Sequence, residues 1–154
     1  MSPTGEEDQA RAVLARAVEE LDRGLGILAE AEDRWYRATT DEQRWESAAQ
    51  AQEAAEVLLD VRADLDAAFG DHPGIRPAMA ALWHRAGLWL ASSFLLTARA
   101  AAGAGDAGLA RSALAEASDL VDASMGVDLV TAEDQALLAA RRADIDELAA
   151  VLPR

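Results

Sequence analysis

Residues 78–102 read Ala78-Met-Ala-Ala-Leu82-Trp-His-Arg-Ala-Gly87-Leu-Trp-Leu-Ala-Ser92-Ser-Phe-Leu-Leu-Thr97-Ala-Arg-Ala-Ala-Ala102. This stretch contains no acid, and its only large polar heads are His84, Arg85 and Arg99. All 28 acidic residues of the chain lie outside it. A helix that is apolar on nearly every side has to be surrounded, and the acidic amphipathic segments before and after it are suited to wrapping it. The pattern predicts an all-α fold, an antiparallel bundle of four to five helices around a central apolar third helix.

Working outward, Leu14, Val18, Leu21, Leu25, Leu28 and Trp35 fall at steps of three, four or seven residues, which places them on one side of a first helix from about Glu6 to Ala38. Gly24 and Gly26 flank Leu25, and each costs about 1 kcal/mol relative to Ala inside a helix. Close approach of a second helix at this level is the preferred reason, and a bend is the alternative. Thr39 followed by Glu42 has the spacing of a capping box and opens a second helix that runs to Phe69. Its inner face is Ala51, Ala54, Leu58, Val61, Leu65 and Ala68. Two helices of such length, joined so tightly, fold back on each other as a long hairpin over residues 6–69.

The loop over residues 70–77 is the clearest break. Gly70 is expected to supply a left-handed C-terminal cap, and Pro77 suits the first turn of the third helix. Beyond Ala102 the run Ala-Gly-Ala-Gly ends that helix, and Asp106 is placed to cap a fourth lined by Ala110, Ala113, Leu114, Ala117, Leu120 and Val121. Gly126 stops it. Thr131 opens a fifth, with Leu138, Ile145, Leu148 and Leu152 in line. Three helices thus fill residues 78–152, and 1–154 reads as a single helical domain. No strand-like alternation is present, and an apolar content dominated by Ala and Leu, with three Ile, favours helix.

A net charge of −14 disfavours binding to a phosphate backbone, so no nucleic-acid partner is expected. The chain has no cysteine and no lysine, which removes disulfides, thiolate chemistry, Schiff bases and the P-loop lysine. The first residues lack the basic and apolar regions of a signal peptide, and the longest charge-free run, Ala86–Ala98, is too short to span a bilayer. A cytoplasmic protein with no membrane association is expected.

Two constellations stand out as candidate binding sites. Arg34-Trp35-Tyr36-Arg37 precedes the hairpin turn and Arg44-Trp45 follows it, so the two indoles are placed to stack or to form a cleft. Trp, Tyr and Arg combine large rigid area with polar handles, which makes them frequent interface anchors. The competing reading has the tryptophans seal the core while the arginines pair with Glu32, Asp33, Asp41 or Glu46. On the third helix Arg85, Ser92 and Arg99 recur every seven residues and share one side. If that side is covered, its guanidiniums require carboxylates from neighbouring helices or an anionic ligand. His84, Trp89 and Ser93 are placed to line a small-molecule pocket beside the same helix.

Metal and catalytic signatures are weak. Neither His72 nor His84 follows a Glu at the spacing of a carboxylate-bridged di-iron bundle. Glu53-Ala-Ala-Glu56 and Glu116-Ala-Ser-Asp119 have the local spacing of Mg²⁺-binding acids in helical nucleotide pyrophosphohydrolases, but the pairs lie far apart in the chain. No metal site and no cofactor is therefore assigned. Trp83, Gly87 and Leu90, followed by Gly105-Asp106 and then by Ala110, Leu114 and Ala117, resemble the two helices of a single tetratricopeptide unit without a second copy.

These features favour a non-enzymatic protein-interaction or assembly module, a homodimer through the long hairpin. An alternative is a small-molecule-binding accessory protein, in which Arg85 holds an anionic group and Trp83 or Trp89 packs an apolar body. A metal-dependent enzyme using helix-borne carboxylates is the third choice.

Overall fold

The computed structural model describes residues 3–153. They form helices α1 (Pro3–Arg37), α2 (Asp41–Phe69), α3 (Arg76–Gly103), α4 (Ala107–Ser124) and α5 (Ala132–Val151), with a 3₁₀ turn at Pro73–Ile75 before α3. Among the described residues there is no strand, and the helices pack on one another as an all-α bundle.

Helices α1 and α2 form the hairpin. Ala17, Leu21, Leu28 and Ala31 of α1 are buried with Ala51, Ala54, Leu58 and Leu65 of α2. Gly24 explains its own presence, because a Cβ there would lie 2.9 Å from Leu58 Cδ2. Gly26, two residues on, has nothing within 4 Å of such a Cβ, and α1 passes through both positions without interruption. Close approach therefore accounts for one of the two glycines. Buried Ser47 adds a polar tie, its Oγ donating to the Ala31 carbonyl at 2.6 Å. The heptad stripe of α1 is largely taken up inside the chain: Leu21 and Leu28 are buried, while Val18 remains at an exposed edge.

Two expectations about the helix ends are corrected. The N-cap of α2 is Thr40, not Thr39: the Thr40 hydroxyl accepts from Gln43 N at 3.2 Å, and Gln43 Oε1 accepts from Thr39 N at 2.8 Å. The cap is thus shifted by one residue, and Gln43, in place of Glu42, reaches back to the N–H of the residue before the cap and not to that of the cap itself. Gly70 has φ −73°, a right-handed conformation, so no left-handed cap ends α2. The left-handed glycines are Gly105 and Gly126, in the turns that follow α3 and α4. The other start signals are seen as read. Asp106 accepts from Leu109 N, Thr131 accepts from Asp134 N, and Pro77 occupies the first turn of α3.

Helix α3 is the centre, touching all four other α-helices. Its enclosure begins at Ala86: between there and Ala101 all but Trp89, Phe94 and Arg99 are buried. Residues 80–84 are half-buried and Arg85 is exposed, because this end packs chiefly along α2. Trp89 packs against all three groups of core side chains, between α3 and the hairpin on one side and α3, α4 and α5 on the other.

The fifth helix returns parallel to α3, since two reversals of direction separate them. Arg85 Nε meets Asp134 Oδ2 at 3.3 Å, Arg141 Nε donates to Ser92 Oγ at 2.8 Å, and Arg99 lies 3.6 Å from Asp144. The seven-residue row on α3 is therefore covered by α5, which supplies a carboxylate to each arginine.

Candidate functional site

Where the end of α1 passes α3 and α5, the three helices leave a cleft of about 200 Å³. Trp35 and Tyr36 come from the last turn of α1 and form one wall. Ser92, Leu96 and Arg99 of α3 form the floor, and Arg141 and Asp144 of α5 close the far side. These positions meet because α1 ends just beyond Trp35 while α3 and α5 run in parallel beneath it.

The charges of this cleft are incompletely matched. Asp144 Oδ2 lies 3.6 Å from Arg99 and 3.5 Å from Arg141, beyond the usual hydrogen-bond range on both sides. One carboxylate is thus shared by two guanidiniums, with Glu32 at the rim. The bond from Arg141 Nε to Ser92 holds the base of one fork in place, and a guanidinium carries five N–H donors in all. The cleft can receive an acceptor group between two cations, with an aromatic wall beside it.

The hairpin-tip residues separate onto different faces. Trp35 and Trp45 both pack against the core group formed by Leu28, Ala31, Ala48, Ala51 and Leu96. Among the described residues their rings do not pair; the one aromatic pairing is Trp83 with His84. Arg37 pairs with Asp33 at 3.5 Å and Arg44 with Asp41 at 3.0 Å, as the competing reading of the tip required. Arg34 has no carboxylate within 4 Å among the described residues, and lies in a shallow surface groove with Glu30, Gln43 and Glu46. Tyr36 projects from the surface with 80% of its area exposed.

His84, Arg85 and Trp89 are not brought together at one cavity. His84 Nδ1 is 2.8 Å from Ser124 Oγ, and its ring meets Trp83 edge-on with centroids 5.1 Å apart. Burial, reinforced by the nearby Arg62 charge, lowers the His84 pKa below the ordinary imidazole value. Arg85 turns to Asp134. Trp89 lies in the core with its indole nitrogen buried and unpartnered, and Ser93 donates back to the Trp89 carbonyl. None of the clefts described here is lined by these three residues.

A second cluster was not legible as a site in the sequence. Arg62 of α2 lies over the Trp83 ring, 3.6 Å from its centroid, beside Gly87 and Ser124. In sequence it stands among Asp60, Asp64 and Asp66 and reads as a solvated ion-pairing residue. Its only clue is its place beside Val61, at the border of the apolar face. Among the described residues no group of three or more acids and histidines is placed to hold a metal ion, and Glu53, Glu56, Glu116 and Asp119 are exposed. No described helix is long and apolar enough to cross a membrane.

Comparison with protein-family models, with curated proteins and with solved structures finds no match to this chain.

Proposed function

We propose that this chain is a non-enzymatic interaction module that assembles with a second copy of itself through the bundle end where α1 turns into α2. One observation carries the reading: an exposed aromatic side chain, Tyr36, stands immediately beside a hollow of side-chain size. A protrusion and an adjacent recess are the self-complementary pair that a two-fold contact needs, because each copy offers both to the other. At about 200 Å³ the cleft falls below the usual range of roughly 300–1,000 Å³ for small-molecule sites. It matches a single inserted side chain.

Charge supports the same location. A protein of charge −14 repels its own copies over most of its surface. At this end Arg34, Arg37, Arg99 and Arg141 offset most of the charge of Glu30, Glu32, Asp33, Glu46 and Asp144 beside them, so repulsion is lower there than the overall charge implies. The Tyr36 hydroxyl of one copy, entering the other's cleft, finds an acceptor in Asp144 and a ring to pack on in Trp35.

Light scattering over a concentration series tests the proposal. The wild type is expected to be a dimer, and Tyr36→Ala to weaken association by about 30-fold, the size of a 2 kcal/mol hot spot. Its thermal melt should match the wild type at concentrations where both are monomeric, since Tyr36 is exposed in the single chain, and should fall below it where the wild type is dimeric. A wild type that remains monomeric at every concentration, or a Tyr36→Ala dimer as tight as the parent, refutes it.

A further inference from the structure

Away from its tip, the hairpin holds a cleft of about 330 Å³ between α1, α2 and the loop that follows Phe69. That volume is inside the range of roughly 300–1,000 Å³ usual for small-molecule sites, unlike the hollow at the bundle end. Ala17 of α1 and Ala67 and Ala68 of α2 line it, and their short side chains leave the space between the helices unfilled. Val61 and Leu65 form its buried base, while half-buried Val13 and Ala68 supply apolar walls. Asp71 N donates to the Ala68 carbonyl at 3.0 Å, which holds the loop against the end of the cleft.

Charges of both signs line this cleft without pairing. Glu20 is engaged by Arg23 at 2.9 Å. Among the described residues, Arg16 has no carboxylate within 4 Å, and Asp64 and Asp71 have no cation within 4 Å. All three side chains belong to exposed residues, so a ligand can reach them. The hairpin register sets two of them at one level. Gln50 bonds Glu30 and Leu58 abuts Gly24, and the same antiparallel count brings Arg16 opposite residues 64–66. Arg16 and Asp64 therefore face each other across the mouth, from different helices and too far apart to join directly.

We infer that the α1–α2 cleft binds a free α-amino acid with a compact apolar side chain. Its carboxylate accepts from Arg16, its ammonium donates to Asp64, and its side chain lies between Val13 and Ala68. An α-amino acid carries both charges on one carbon, so it supplies each rim residue with the partner it lacks. A simple amine is repelled by Arg16, and a simple carboxylate by Asp64 and Asp71. Asp71, at the loop end, disfavours an acidic side chain. An exposed charge pair contributes little by itself, so affinity requires both charges and the apolar walls together. The cleft shares no residue with the bundle-end contact, and the two proposals stand or fall separately.

The test is a titration of the isotope-labelled full chain with leucine, isocaproate, isoamylamine and glycine, followed by the Val13 methyl signals in carbon–proton correlation spectra. Val13→Ala assigns those signals. Isocaproate is leucine without its ammonium, isoamylamine is leucine without its carboxylate, and glycine lacks the side chain. Leucine is expected to shift the Val13 signals saturably with a Kd below about 1 mM, and the other three compounds to bind at least tenfold more weakly. Arg16→Met should abolish the preference for leucine over isoamylamine, and Asp64→Asn the preference for leucine over isocaproate. Both positions are exposed, and melting temperatures confirm that the variants fold. Should either variant unfold, the wild-type comparison of leucine with its two truncated analogues decides. Equal affinity for leucine and either analogue, preferences unchanged in folded variants, or a leucine titration that leaves Val13 unmoved overturns the inference.

Discussion

Gly24 and Gly26 allow one substitution to be made twice, two residues apart, with opposite expected signs. Replacing either by Ala adds a methyl group and removes the entropic cost of glycine in a helix, a gain of about 1 kcal/mol. At Gly26 nothing lies within 4 Å of the new Cβ, so the gain stands alone. In a chain of this size it raises Tm by roughly 2–4 °C. At Gly24 the new carbon would lie 2.9 Å from Leu58 Cδ2, 3.0 Å from Leu58 Cγ and 3.4 Å from Val57 Cγ1. All three are inside the optimal carbon–carbon separation of about 3.5–4.0 Å. Leu58 is fully buried among Leu21, Val61, Leu65 and Leu90, so to make room it has to move against packed neighbours. Overpacking of this kind costs about 1–3 kcal/mol, so Gly24→Ala is expected to be neutral to destabilising by about 2 kcal/mol after the helix gain is subtracted. Urea unfolding followed by circular dichroism reads both values. A second arm removes the obstacle: on a Leu58→Ala background, Gly24→Ala should stabilise. If Gly24→Ala stabilises the parent as much as Gly26→Ala does, α1 and α2 do not approach at that level and the hairpin packing is wrong.

Further expectations concern the α2 cap and the α3 histidine. Thr40→Ala should cost about 1 kcal/mol by removing the cap on Gln43 N, and Thr39→Ala less, because it loses only an exposed 3.2 Å hydroxyl bond to Gln43 Oε1 while the shorter backbone bond to the same oxygen remains; thermal melts with the opposite order would return the cap to Thr39. His84 has a lowered pKa in the fold, so the unfolded chain takes up its proton more readily. The His84 contribution is therefore neutral above the ordinary imidazole value near 6.5 and destabilising as pH falls below it. The stability of wild type relative to His84→Gln should decline over that interval, and a flat difference would show that His84 is not perturbed.

The helical class and the central position of α3 were readable because both rest on patterns that survive without neighbours: the alternation of apolar and acidic stretches, and caps such as Asp106 and Thr131. Details that depend on which helix lies opposite were not. Gly24 and Gly26 look alike in sequence and differ only in that Leu58 stands across from one of them. Thr39 and Thr40 both have an acid or amide three residues on, and backbone geometry decides between them. Arg62 and Trp83 belong to different helices, and only the pairing of α2 with α3 brings them together. Arg85 and Arg99 were legible as residues in need of carboxylates, yet not as residues that would find them on α5. The tip residues are neighbours along the hairpin, and the 100° turn per residue divides them, sending Trp35 inward and Tyr36 outward.

The seam between α3 and α5 gives the molecule a weak side. Of the twenty residues in α5 only Asp134, Leu138 and Ile145 are buried, and the ion pairs that flank its apolar contacts to α3 are exposed enough for dissolved salt to reach. The hairpin, by contrast, is closed by aliphatic contacts that salt does not weaken. The last helix is therefore the one expected to open first in hydrogen exchange, with added salt lowering its protection modestly and leaving that of the hairpin unchanged.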